Sequence, residues 1–149
     1  MSIEIIRNSD KLTKEVVHSL RLAVGWPSSL KNAENELQNT YSTFSAWVDK
    51  KCIGYVNSIS DGVSDALINN LIISPEYQNK KVGSSLLKFL IKELRKDGVK
   101  FFNVVFEPRL EKFYKKCGFR IQSAGIMDFY DLSQVVVPEG WNGVEEKVN

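Results

Sequence analysis

The sequence predicts an α/β (α+β) domain built around one mixed sheet. Three observations carry this reading. Apolar runs of strand length lie between turn residues, other segments repeat their apolar side chains at helical spacing, and the order βααβββαβαββ makes helices interrupt a largely antiparallel meander.

Ile3 to Ile6 alternates as a first strand, and Ser9-Asp10 offers an N-cap for a helix with Leu12, Val16, Val17 and Leu20 on one face. Gly25-Trp26-Pro27 should stop that helix. A second helix, from about Ser28-Ser29 to Tyr41, carries Leu30, Ala33, Leu37 and Tyr41 as a thin stripe, which suits an edge position. Phe44 to Val48 and Cys52 to Ile59 flank Asp49-Lys50-Lys51 as a hairpin, and Ser60-Asp61-Gly62 turns into a strand from Ala66 to Ile73. Leu86, Leu87, Leu90, Ile91 and Leu94 define the most regular helix, with Lys88, Lys92 and Lys96 outward and Asp97-Gly98 at its end. Phe101 to Phe106 reads as a strand covered on both faces, Pro108 to Lys116 as a short helix capped by Gly118. Phe119 to Ile121 and Ile126 to Tyr130 read as two final strands, which closes a domain over residues 1–131 and leaves 132–149 as a tail that packs on the body, crosses to a partner chain or frays.

At 149 residues, with 43% hydrophobic side chains, the chain suits one cored domain. Its formal charge of +2, from 20 basic and 18 acidic residues, is too balanced to point to nucleic acid as the main partner. Cys52 and Cys117 lie far apart and His18 stands alone, a pattern that indicates neither a metal site nor a disulfide framework and fits a reducing cytosol. The N-terminus lacks a signal-peptide core, and no membrane span is expected.

The segment Gln78-Asn79-Lys80-Lys81-Val82-Gly83-Ser84-Ser85 joins a strand to a helix start. The first N–H groups of a helix have no partner within it, and the peptide dipoles sum to about +0.5 charge there, so a phosphate satisfies both demands. Gly83 leaves room for close approach, Ser84 and Ser85 offer hydroxyls, and Lys80 and Lys81 add charge. An ordinary capped connection has the same appearance.

These residues resemble the GNAT superfamily of acyl-CoA-dependent N-acetyltransferases over roughly residues 3–130. The run from Leu71 through Gln78 to Ser84 follows the family pattern Gln/Arg-x-x-Gly-x-Gly/Ala at Gln78 and Gly83, and Phe113-Tyr114-Lys115-Lys116-Cys117-Gly118-Phe119 is similar to its Phe-Tyr-x-x-x-Gly-Phe signature. A looser likeness, Val24-Gly25-Trp26-Pro27 with Ser60-Asp61-Gly62, points to the branch of plant-type serotonin N-acetyltransferases and bacterial relatives. The resemblance implies a mostly antiparallel sheet with helices on both faces and a splayed central strand pair, Ala66 to Ile73 and Lys100 to Phe106. It implies acetyl-CoA as co-substrate, with pantetheine along Leu71, Ile72 and Ile73, where main-chain groups of Leu71 and Ile73 pair with it. It also implies the pyrophosphate on N–H groups of the stretch Gln78, Asn79, Lys80, Lys81, Val82, Gly83 and Ser84. The family usually has glycine at Lys81, and a lysine backbone does not readily adopt positive φ, so Lys81 is expected to point outward and replace backbone closeness with charge.

For direct transfer to an amine, the resemblance makes Tyr114 the proton donor to the departing thiolate. A phenol of pKa ~10 is almost wholly protonated at pH 7 and can protonate a departing alkyl thiolate, whose acid is of order 8.5. An aliphatic ammonium is only about 0.04% neutral at pH 7 and has to shed a proton. Relatives often place a carboxylate where this chain has Asn70, which as an amide orients water or substrate instead. Glu107 and His18 remain as alternative bases, and Trp26 as a wall of the acceptor pocket, while Trp47 and Phe44 suit the core. The expected acceptor is a small amine or a protein amine, with no nucleic acid or membrane partner expected, and the chain is expected to be a monomer or homodimer. A non-catalytic acyl-CoA-binding module is the alternative that Lys81 and Asn70 keep open. A nucleotide-binding domain is disfavoured by the lack of both glycine-rich loop motifs.

Overall fold

A computed structural model describes residues 2–141. The chain divides into two compact units, Met1–Phe119 and Arg120–Asn149. The first unit holds β1 (Glu4–Arg7), α1 (Lys14–Ala23), α2 (Leu30–Asn39), β2 (Ser42–Val48), β3 (Lys51–Ser60), β4 (Asp65–Ile73), α3 (Val82–Asp97), β5 (Phe101–Asn103) and α4 (Glu111–Lys116). The five strands form one sheet in chain order, antiparallel except for β4 and β5, which run parallel.

Both faces of the sheet are covered, because helices follow β1 and β4 and each brings an apolar stripe. Leu86, Leu87, Leu90 and Leu94 of α3 are fully buried with Phe44, Ala46, Val56, Ala66 and Ile68 of the sheet. Val17 and Leu20 of α1 and Ala33 of α2 pack with Trp47, Cys52, Tyr55 and Ile72 in a second cluster. In a strand of period two, Ile68 and Ile72 would share a face. They do not, because β3 and β4 change register between the pairs Tyr55↔Ile72 and Asn57↔Asn69, which sets Asn70 and Leu71 opposite Val56 alone. Asn70 takes a left-handed φ of 56° in this bulge, a conformation asparagine tolerates better than most residues. The bulge sends Ile72 to the α1 and α2 side and leaves Leu71 and Ile73 against the α3 side.

The helix starts differ from the sequence expectation at α1. Ser9 closes a local turn, with Lys11 N–H donating to its Oγ at 3.2 Å, and the cap is Thr13, whose Oγ1 accepts from Val16 N–H at 3.4 Å. Leu12, buried before this cap, and Val17 then sit as the two halves of a hydrophobic staple. Ser29 caps α2 by accepting from Asn32 N–H at 3.1 Å. Asp97, at the end of α3, accepts from Arg7 of β1 and from the Tyr41 hydroxyl at 2.9 Å, which holds its carboxyl below the usual range and ties the sheet edge to the helix.

Two further expectations are corrected. β5 ends at Asn103, and Phe101 and Val105 are half exposed, so the segment to Phe106 is neither a full strand nor covered on both faces. Residues 119–128 form no strand. Ser123-Ala124-Gly125 supplies little side chain to pack, and Asp128 and Asp131 instead accept from the N–H groups of Tyr130 and Ser133 in local turns. Beyond one short 3₁₀ turn, Leu132–Gln134, the described part of the second unit has no regular element. No described helix is long and apolar enough to cross a membrane.

Gly54 of β3 faces the end of β4, and a Cβ there would stand 2.8 Å from the Ile72 carbonyl oxygen. Gly54→Ala is therefore expected to destabilise the domain by about 1–3 kcal/mol, read by chemical denaturation. An unchanged midpoint would mean that β4 can shift at no cost.

Candidate active site

β4 and β5 pair only from Asp65↔Phe101 to Leu67↔Asn103. Past that point β4 continues to Ile73 with β3 on one side and, among the described residues, no strand on the other. The opening is a cavity of about 990 Å³, lined by Leu71, Ile72 and Ile73 of β4, by Gln78, Asn79, Lys81, Val82, Gly83 and Ser84 at the start of α3, and by Phe113, Tyr114 and Cys117 at α4. Val24 and Trp26 of the α1–α2 loop also line it, as do Arg109 and Lys116. The structure thus gathers ten of the twelve sequence-expected site residues around one space. The exceptions are Asn70 and Lys80. Lys80 Nζ lies 5.4 Å from the ring centre of Tyr77, a cation–π contact.

The phosphate-like seat is built from the chain path itself. Among the described residues, the N–H groups of 79–84 donate to no protein acceptor, and the first helical bond from this turn is Ser85 N–H to the Lys81 carbonyl at 3.0 Å. Asn79 and Lys81 both hold left-handed φ values, 60° and 65°. Lys81 therefore adopts the backbone conformation that its side chain was expected to resist, and it caps α3 there with no side-chain hydrogen bond. Runs of N–H groups bent by left-handed residues form anion-binding nests. Gln78 braces the corner by donating from Nε2 to the Ile73 carbonyl at 3.0 Å. Gly83 has a packing role besides openness: a Cβ would lie 3.3 Å from Phe113 and 3.7 Å from Ile73, so its absence lets α3 close on both.

Tyr114 is 5% exposed. Its ring stacks on Phe106 at 4.4 Å and meets Phe113 and Phe119 edge-on at 5.0 and 5.7 Å. Burial, with a smaller contribution from Cys117, raises the phenol above its ordinary pKa of 10.0, so it is held protonated at neutral pH. Burial likewise raises the Cys117 thiol, and it raises Cys52 to about 11, which suits neither for a nucleophile. Glu107 lies outside the cavity, exposed and paired with Arg109 at 2.7 Å, and His18 is engaged with Ser28 Oγ at 2.9 Å. Trp47 and Phe44 are in the core.

A polar cluster beside the cavity went unread in the sequence. Glu36 of α2 accepts at Oε1 from Asn57 Nδ2 (2.8 Å), Asn70 Nδ2 (2.9 Å) and the Tyr55 hydroxyl (3.2 Å), and Arg21 of α1 approaches its Oε2 at 3.8 Å. The signal available was the Asn69-Asn70 pair inside an apolar strand, which suits a bulge better than a regular ladder.

A model of the acetyltransferase (GNAT) domain matches residues 10–127 of the chain. The protein belongs to this family. It is 27% identical over 113 residues to an uncharacterised N-acetyltransferase, ycf52, of Gracilaria tenuistipitata var. liui, covering 72% of this chain and 62% of that one. It is 28% identical over 86 residues to serotonin N-acetyltransferase 2, chloroplastic, of Oryza sativa subsp. japonica, covering 56% of this chain and 43% of that one. Both agree with the branch read from the sequence, and the chain spans less than two thirds of each relative's length. Among solved structures, a GNAT family acetyltransferase from Streptococcus pneumoniae is 26% identical with a TM-score of 0.72, over 85% of this chain and 96% of that one.

The strained cap yields a stability test. Lys81→Gly should leave stability unchanged or raise it by up to about 1 kcal/mol, because relief of the left-handed strain outweighs the added backbone entropy. Lys88→Gly, on the exposed face of the same helix, should lower it by roughly 0.5–1 kcal/mol. Thermal melts of the two variants should therefore move apart.

Proposed function

We propose that this protein is an N-acetyltransferase that moves an acetyl group from acetyl-CoA to a primary amine by direct attack in a ternary complex. The observation that carries the proposal is the meeting, in one cavity, of an unpartnered N–H nest, a strand with one free edge, and a protonated phenol. Three different groups of acetyl-CoA need these three features: a diphosphate, an amide-bearing arm and a thiolate that must leave as a thiol.

In this reading the N–H groups of residues 79–84 take the pyrophosphate, with Lys81 at the cavity adding charge. The main chain of Leu71 to Ile73 takes the pantetheine amides on its free edge. Acetyl-CoA supplies the activated acyl group: the amine nitrogen bonds to the thioester carbon as the carbon–sulfur bond breaks. Tyr114 then delivers its proton to the departing sulfur, the new amide nitrogen sheds its extra proton to solvent, and Tyr114 recovers one from solvent. Trp26 and Val24 form the wall for the acceptor, whose ammonium loses its proton to solvent, since no carboxylate lines the cavity among the described residues. Asn70 acts from outside the cavity by its hydrogen bonds to Glu36 and Arg21. The free thiols support a reducing compartment, the cytosol being the simplest, although the rice relative's name places that protein in the chloroplast.

The proton-donor role is tested with Tyr114→Phe. Turnover in a thiol-release assay across an amine panel should fall roughly 10²-fold, with acetyl-CoA affinity within about twofold of wild type. Because burial raises the phenol, the wild-type rate should hold past pH 10 before its alkaline loss, and the variant should lack that limb. Wild-type turnover in the variant would remove Tyr114 from the mechanism. Tight cofactor binding by the wild type with no thiol release for any amine would favour a sensor. Lys81→Gly should weaken acetyl-CoA binding and flatten its salt dependence, and an unchanged affinity would exclude a charge contact there.

A further inference from the structure

We infer that Glu36 is a positioning residue for the acceptor end of the site, holding the β4 bulge and the α1–α2 loop in one arrangement. This rests on the acetyltransferase reading for its functional consequence, but not for its structural content. Glu36 does not line the cavity, so it is not assigned contact with substrate. Its carboxylate instead gathers donors from two strands. Asn57 and Tyr55 come from β3, and Asn70 comes from the bulge of β4, where the chain turns through a left-handed residue immediately before Leu71.

The Asn70 amide is engaged at both ends, giving Nδ2–H to Glu36 at 2.9 Å and accepting from Arg21 Nη1 at 3.3 Å. Arg21 then reaches the loop. Its Nε donates to the Pro27 carbonyl at 3.2 Å, and its guanidinium sits 5.3 Å from the ring centre of Trp26. One carboxylate thus links two walls of the cavity, Leu71 to Ile73 and Val24 to Trp26, through two side chains.

The bonds of Glu36 also fasten α2 to β3 and β4. α2 buries only Ala33, and its remaining stripe is thin. Asn57 is 1% exposed, and while its Nδ2 is bound to Glu36, its Oδ1 has no hydrogen-bond partner among the described residues. Turning the amide over would set that oxygen against the carboxylate, so the orphan is the consequence of serving Glu36. A buried acceptor left unpaired is destabilising, so the orientation of Asn57 toward Glu36 carries a cost that the bonds to the carboxylate have to offset. A cluster that gives interior support alone would make no distinction between the two substrates.

The test uses the full chain with Glu36→Ala and Glu36→Gln. Hydrogen exchange in Glu36→Ala should quicken at residues 24–26 and 69–73 while the buried helical stretch 86–94 of α3 keeps wild-type rates. Uniform quickening, or none, would overturn the inference whether or not the wild type is active. With an amine that the wild type acetylates, Glu36→Ala should lower kcat/KM for the amine roughly 10- to 100-fold and leave the acetyl-CoA dissociation constant within about twofold. Glu36→Gln, which keeps an oxygen for the three donors, should recover most of that loss. Equal losses toward both substrates, or no recovery with glutamine, would overturn positioning. If Glu36→Ala does not fold, Arg21→Met, which frees the loop and the Asn70 oxygen but leaves the Glu36 bonds to Asn57, Asn70 and Tyr55 in place, should reproduce the amine-specific loss with exchange quickened most at residues 24–26, and a wild-type result from it would overturn the linkage. Absence of thiol release by the wild type itself would sink the enzymatic reading and leave the exchange experiment to decide the structural one.

Discussion

β4 holds its partners unequally. Near its start it pairs on both edges, with β3 on one side and β5 on the other, and after Leu67 it keeps only β3. Every backbone group on the abandoned edge needs another partner, since a polar group left unpaired away from water is costly. The parting of the strands creates that demand and, in the same movement, the space in which a ligand can meet it. The bulge at Asn70 and Leu71 serves the packing of the same strand, for without it Ile72 would lie on the same face as Ile68 and the α1 and α2 cluster would lose its β4 member.

The electrostatics of the site arise from backbone more than from side chains. The first turn of α3 has no side-chain cap, its amide groups are unspent, and two left-handed residues bend the preceding turn. Lysine is an unfavourable choice for such a backbone position, where glycine would be unstrained. Its presence exchanges some stability for a cation at the cavity, and the nest remains intact because the main-chain geometry is the one glycine would have supplied.

The parts legible in the sequence were those governed by short-range periodicity. The stripe from Leu86 to Leu94 announced α3, the Asp49 turn announced the hairpin, and the two motifs around Gly83 and Tyr114 proved to border one cavity. What was hidden depended on long-range contacts. Glu36 reads as one polar residue on a polar helix until Asn57 and Asn70, brought by β3 and β4, converge on it. The cap of α1 was misplaced because Ser9 and Thr13 are both good capping residues, and Leu12 burying beside Val17 decides for Thr13. The expected strands after Phe119 failed because alternation alone does not supply a partner, and short polar turns around Asp128 and Asp131 use the local donors instead.

The missing side chain of Gly83 has a mechanical consequence. With α3 closed on Phe113, and Phe113 edge-on to Tyr114, the nest and the phenol belong to one packed body. Their separation is set by side chains in van der Waals contact and does not wait for a ligand to define it. On the proposed reading such a body would work as a ruler, gauging the length of the arm between a diphosphate and a thioester and selecting its donor by the carrier before the acyl group is ever sensed.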